Sequence, residues 1–232
     1  HDYTTGRIFK VVQKALAFGP APRLWKETDE TLAGMAGSGD EWLSRHARRL
    51  LQEHKFAFTA AKVVGGDPFD PFEQVVRNGV RYGNLHASLR ALWALHVTGN
   101  LREPFVLENL VEREGSEFVT AWTIQLACEK PPSDAVRVKL AALAATAKSP
   151  VVQLYLASAA QRLPIAQRAA LLEPLLARAD LAADHNLPLM LWYAVEPVVG
   201  GNALTAAELL TKTKIPQVQE FIARRLAATT ER

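Results

Sequence analysis

The sequence predicts an all-α chain: a right-handed α-α superhelix of about six stacked helical pairs, with a short strand at its N-terminus. Three observations predict it. Apolar residues recur at three- and four-residue spacing in segment after segment. Turn residues punctuate those segments, at Gly65-Gly66-Asp67-Pro68, Gly99-Asn100, Pro131-Pro132, Ser149-Pro150, Gly200-Gly201-Asn202 and Ile215-Pro216. Every second segment aligns on an early apolar residue: Leu43, Leu85, Val119, Val152, Leu187 and Val218, at intervals of 42, 34, 33, 35 and 31 residues. One helical pair cannot bury its own apolar stripe, so neighbours must stack.

Taken in order, Gly6-Arg7-Ile8-Phe9-Lys10-Val11-Val12 is β-branched and partly alternating, which predicts a strand. A lone strand leaves its backbone groups unpaired, so it reads as the tail of a sheet domain outside this chain. Ala17–Trp25, with Gly19, Pro20 and Pro22, reads as a linker. A helix starts at Thr28-Asp29-Glu30 and is ended early by Gly34, Gly37 and Gly39. Asp40 is placed to cap the next helix, 41–54. First helices are then expected near 71–79, 103–113, 133–146, 165–178 and 203–212. Their second helices are expected near 84–98, 116–129, 149–162, 186–198 and 216–228. Pro104, Pro150 and Pro216 fall in first turns, where the missing N–H costs nothing. Trp122, Tyr155 and Phe221 each follow an alignment residue by three positions and should pack between layers.

Composition narrows the class. Of 232 residues, 49% are hydrophobic and 22% charged, a globular balance. The longest apolar run, 187–199, is interrupted by Pro188, Glu196 and Pro197, so no transmembrane segment is expected. A net charge of +3 does not argue for nucleic acid. Cys128 is the only cysteine; it excludes an internal disulfide and covalent haem, and its apolar helical register reads as buried and inert.

Four segments carry a resemblance: His46-Ala47-Arg48-Arg49-Leu50-Leu51-Gln52-Glu53; Leu89-Arg90-Ala91-Leu92-Trp93-Ala94-Leu95-His96; Asp184-His185-Asn186-Leu187-Pro188-Leu189-Met190-Leu191-Trp192-Tyr193; and Lys214-Ile215-Pro216 with Phe221-Ile222-Ala223-Arg224-Arg225-Leu226. They resemble the HEAT-repeat region of large exported bacterial proteins, the PVC-type haem-binding CxxCH proteins or membrane-bound dehydrogenases. The resemblance covers nearly the whole chain. It implies a β-propeller before this chain and a cytochrome c domain after it. Residues 1–25 would then be the propeller's closing strand plus linker, and 26–232 a HEAT/armadillo-like domain. The implied function is a non-catalytic scaffold, spacing and orienting redox domains in the periplasm or cell envelope. Its partners would be the neighbouring domains of the same polypeptide. Haem c, and any calcium or quinone, would sit in those other domains; no CxxCH is present here.

No catalytic residue and no metal site is assigned from the sequence. His46 and His54, or His86 and His96, do not have the i, i+4 spacing of a metal-binding helix. There is no glycine-rich phosphate loop between a strand and a helix. Asp184-His185-Asn186 reads as a capping group, or as a polar recognition cluster at a helix N-terminus. Arg48-Arg49 and Arg224-Arg225 occupy equivalent helices. They read as one arginine lying over apolar surface and one paired with a carboxylate of the next repeat, or as a basic binding surface. These seven residues form the candidate interaction surface. Trp42, Trp93, Trp122 and Trp192 read as core packing, with an aromatic row for bases or sugars as the other reading. The alternative function is a DNA-binding solenoid enzyme of the alkylation-repair glycosylase type. Such enzymes use paired tryptophans with a nearby aspartate, and in the sequence Trp93 and Trp122 have no Trp neighbour and no adjacent Asp.

Overall fold

A computed structural model describes residues 23–54 and 70–230. The expected strand at 6–12, most of the linker and the 65–68 turn lie outside the described residues. Within them the chain is all-helical, with twelve α-helices and no strand. In order these are α1 (Asp29–Ala36), α2 (Glu41–Glu53), α3 (Asp70–Tyr82), α4 (Leu85–Val97), α5 (Glu103–Asn109) and α6 (Glu117–Ala127). They continue with α7 (Asp134–Thr146), α8 (Pro150–Arg162), α9 (Ile165–Leu176), α10 (Leu187–Gly201), α11 (Ala203–Lys212) and α12 (Pro216–Thr230). Single 3₁₀ turns precede α1 and α10.

Local chemistry sets the starts. Thr28, Asp40, Asn84, Ser133 and Asn202 each accept a backbone N–H of the first turn that follows. Pro104 and Pro150 sit where the helix can spare an N–H. Helix α3 runs on from the expected 79 to Tyr82, and two further boundaries differ from expectation. Helix α5 stops at Asn109 because residues 113–116 close a turn instead. There Arg113 N donates to Ser116 Oγ, Ser116 N donates to Arg113 O, and Gly115 takes φ 70°. Helix α10 runs past 198 to Gly201, through Pro197. Proline deprives the carbonyl one turn earlier of its donor. Beside that gap, Arg168 Nη1 donates to the Ala194 carbonyl at 3.1 Å.

Each odd helix packs on the even helix after it. The even helices also pack side by side in one unbroken order, α2 on α4, α4 on α6, α6 on α8, α8 on α10 and α10 on α12. The odd helices α5, α7, α9 and α11 form a second layer in the same order. The core runs as two adjoining clusters that meet within the α5–α6 pair: Phe105, Val119 and Leu126 belong to one, Val106, Ile124 and Cys128 to the other.

A single register repeats along the even row. Ser44 Oγ donates to the Ala36 carbonyl at the end of α1, and Thr120 Oγ1 to the Val111 carbonyl after α5. Gln153 Nε2 donates to the Ala147 carbonyl after α7, and Gln219 Nε2 to the Thr213 carbonyl after α11. Ser88 Oγ does the same one turn further into α3, at the Val76 carbonyl. Three residues after each lies a fully buried side chain: Ala47, Ala91, Thr123, Leu156 and Ile222. This moves the alignment of the second pair by two residues, from Leu85 to Ala87, the residue before Ser88, both of them half-buried. The other alignment residues stand. Val119, Val152, Leu187 and Val218 are buried, and Trp122, Tyr155 and Phe221 are half-buried between neighbours.

Two substitutions test this packing. Val152→Asp places a charge at a site with 0% exposure, and chemical denaturation should show a loss of several kcal/mol. At Gly79, an added Cβ would lie 2.0 Å from Ser88 Oγ and 2.6 Å from the Asn84 carbonyl oxygen. Gly79→Ala should therefore cost about 1–3 kcal/mol. The double variant Gly79→Ala with Ser88→Gly should recover only part of it, because the Asn84 clash is backbone.

Candidate functional site

The feature most capable of recognition is a ladder of half-buried side chains across four even helices. The Arg48 guanidinium of α2 lies over the Trp93 ring of α4, 5.2 Å from its centroid. Trp93 meets Trp122 of α6 edge-to-face at 5.1 Å, and Trp122 meets Tyr155 of α8 at 6.3 Å. Further along the row Trp192 of α10 packs on Phe221 of α12 at 5.3 Å. Phe118, Leu189 and Tyr193 add exposed apolar surface on the same helices.

The ladder corrects two readings. Trp93 does have a Trp neighbour, Trp122, which the sequence spacing hid. Trp42 is not in the core: it is 52% exposed, and its ring lies 4.3 Å from that of His46 between centroids. The other three tryptophans are half-buried against the core, as expected.

Charge around the ladder is locally balanced, with one exception. Glu41 receives Arg45 at 2.6 Å and Arg90 at 2.7 Å, and these bonds hold its carboxyl down at about 2. Arg49 pairs with Glu53, His96 with Glu129, Arg224 with Glu220 and Arg225 with Glu196. Arg48 pairs with no carboxylate among the described residues. Its Nη1 is enclosed without an acceptor, as is the neighbouring Trp93 Nε1, and burial pulls the arginine's pKa down. The expected division, one arginine over apolar surface and one on a carboxylate, is seen at Arg48-Arg49; at Arg224-Arg225 both arginines bind carboxylates. Arg48 lies over an aromatic ring of the next pair. Arg49 and Arg224 bind carboxylates of their own helices, and Arg225 binds one of the preceding pair.

Asp184-His185-Asn186 does not join the ladder. Asp184 Oδ1 accepts from Leu187 N and Asn186 N, both at 2.8 Å, and so closes the start of α10. Those two N–H groups, with a smaller contribution from His185, hold its carboxyl below the ordinary value. His185 and Asn186 are exposed. Arg225 meets α10 at Glu196, about 18 Å further along the helix axis from Asp184 at 1.5 Å per residue. Arg48-Arg49 lies at the other end of the row. The seven candidate residues therefore form three separate places, not one site.

Elsewhere, Cys128 is buried, and burial pushes its thiol up to about 11, so it is protonated and unreactive at neutral pH. An open groove of about 780 Å³ beside α7 is lined by Glu112, Glu117, Lys139 and Lys148. Glu112 is committed there to the N–H groups of Lys148 and Ser149 at the start of α8. Among the described residues no three of His, Cys, Asp or Glu converge as a metal ion requires, and no helix is long and apolar enough to cross a membrane. Comparison with protein-family models, with curated proteins and with solved structures found no match.

Asp184→Ala should cost about 1 kcal/mol, the worth of a helix cap. Because the folded carboxyl is held low, its contribution is present above the unfolded pKa and lost as pH falls through the folded value. The difference in thermal midpoint between wild type and Asp184→Ala should therefore shrink between neutral pH and pH 2.

Proposed function

We propose that this chain is a non-catalytic scaffold: a right-handed HEAT/armadillo-like solenoid of about six pairs whose even helices present an interaction surface. Arg48, Arg49, Asp184, His185, Asn186, Arg224 and Arg225 are its candidate contacts, gathered in three places along the row. The observation that carries the reading is the unbroken order of even helices, each packed on the next. The resemblance to the propeller–HEAT–cytochrome c family supports the finer reading. In that reading the chain spaces and orients redox domains of a larger exported protein in the periplasm or cell envelope. Substrate oxidation, haem c and any calcium or quinone belong to those domains.

Small-angle scattering tests the architecture. A compact chain of 232 residues has a radius of gyration of about 17 Å, and a solenoid must exceed it. A value at 17 Å would remove the scaffold reading. Incubation with haem tests the rest: no stoichiometric Soret band is expected, and a band abolished by His185→Ala would make this chain a cofactor protein.

The DNA-binding reading gains the Trp93–Trp122 contact. Against it stands the alternation of sign along the row, where Glu41, Glu53, Glu129, Glu196 and Glu220 interrupt the arginines. A phosphate backbone calls for a continuous cationic track.

A further inference from the structure

We propose that the ladder Arg48–Trp93–Trp122–Tyr155 is the docking site for a short extended acidic segment of a partner protein, with a carboxylate on Arg48 and an apolar or aromatic side chain on Trp122 and Tyr155. The proposal rests on the scaffold reading and names the partner its even-helix face takes.

Three observations point to that chemistry. Arg48 is a cation out of balance among balanced ones. Arg45, Arg49 and Arg90 each bind a carboxylate of this chain, whereas Arg48 binds none among the described residues. Its guanidinium carbon lies 5.2 Å from the centroid of an indole ring, a contact that restrains the side chain, and a partner's carboxylate would meet the nitrogens other than the enclosed Nη1. Arg48 also continues directly into three aromatic rings, each half-buried, so their outer surfaces offer area without needing to move. Steps of 5.2, 5.1 and 6.3 Å bring the ladder within reach of roughly five extended residues at about 3.3 Å each.

A peptide fits better than single-stranded nucleic acid. Trp93 and Trp122 meet at 78°, edge to face, so they do not offer parallel platforms for successive bases. His96 of α4, one turn past Trp93, meets the carboxylate of Glu129 just beyond the end of α6, so a carboxylate sits beside the row where a phosphate track would pass. A polypeptide needs one anion at Arg48 and apolar contact beyond it.

The test uses the full chain, its tryptophan fluorescence, and two probes: acetyl-EFDLE-amide and the neutral acetyl-QFNLQ-amide. The acidic peptide should give saturable quenching, and the neutral one should bind at least tenfold more weakly. Arg48→Gln should weaken the acidic peptide at least tenfold, Arg48→Lys less, and Arg45→Gln, on an arginine already paired with Glu41, less than threefold. Tyr155→Ser should weaken it several-fold with circular dichroism unchanged. Three results would overturn the inference: no saturable binding of the acidic peptide, equal losses in Arg48→Gln and Arg45→Gln, or tighter binding of a ten-nucleotide oligothymidine that Arg48→Gln abolishes. A compact scattering profile removes the scaffold reading, whereas an extended one with no peptide binding removes the docking inference alone.

Discussion

Every odd helix ends on carbonyls that no N–H within the helix can reach, and burying those ends without donors is costly. The fold answers this constraint from the next helix. Ser44, Thr120, Gln153 and Gln219 each turn a side-chain donor back onto the end of the helix before, and in doing so fix how the pair closes. Once that donor is placed, the residue three positions later is forced inward, and the aromatic residues on the flank follow. The fifth pair shows the rule by breaking it. Pro188 occupies the donor position and has nothing to give. The Leu176 carbonyl at the end of α9 is met instead by Lys214 N, at 2.7 Å, from beyond α11.

Ion pairs refine the layers more than they hold them. Glu73 is buried and is reached by both Arg77 and Arg102, while Arg77 also binds Glu108 of α5 through two nitrogens. That network ties α3 to α5, where Arg77 also covers the Phe105 ring. Its value lies in specifying register, since isolated buried pairs seldom add much net stability.

The helices were legible because their punctuation is chemical: caps, first-turn prolines and glycine turns lie where helices start and stop. The pairing was legible from the period. The register of the second pair was not. Leu85, Ala87 and Leu89 of α4 are all apolar and all half-buried, so an apolar marker there has no unique position. The informative residue was Ser88, whose hydroxyl reads as neutral in a hydropathy pattern. The same slip hid the ladder. Trp122 and Tyr155 each lie two residues past their register residues Thr120 and Gln153, but Trp93 lies five past Ser88, so the spacing that finds the other two rings misses it. The uncompensated state of Arg48 could not be read from sequence, because Glu41 is one helical repeat away and is taken by Arg45 and Arg90.

The links between neighbouring pairs have a direction. Arg90 donates to the Ser38 carbonyl, and Lys148 and Ser149 N–H groups bind Glu112. Arg178 donates to the Ala147 carbonyl and Lys214 to the Leu176 carbonyl. In all four the later pair donates into the earlier one; Gln161, which reaches forward to the Met190 carbonyl, and Arg77, which binds Glu108 of α5, run the other way. A chain leaving the ribosome N-terminus first thus presents each emerging pair with acceptors already in place. Assembly can proceed as templated growth, with each completed pair acting as the mould for the next, instead of waiting for the whole chain to collapse at once.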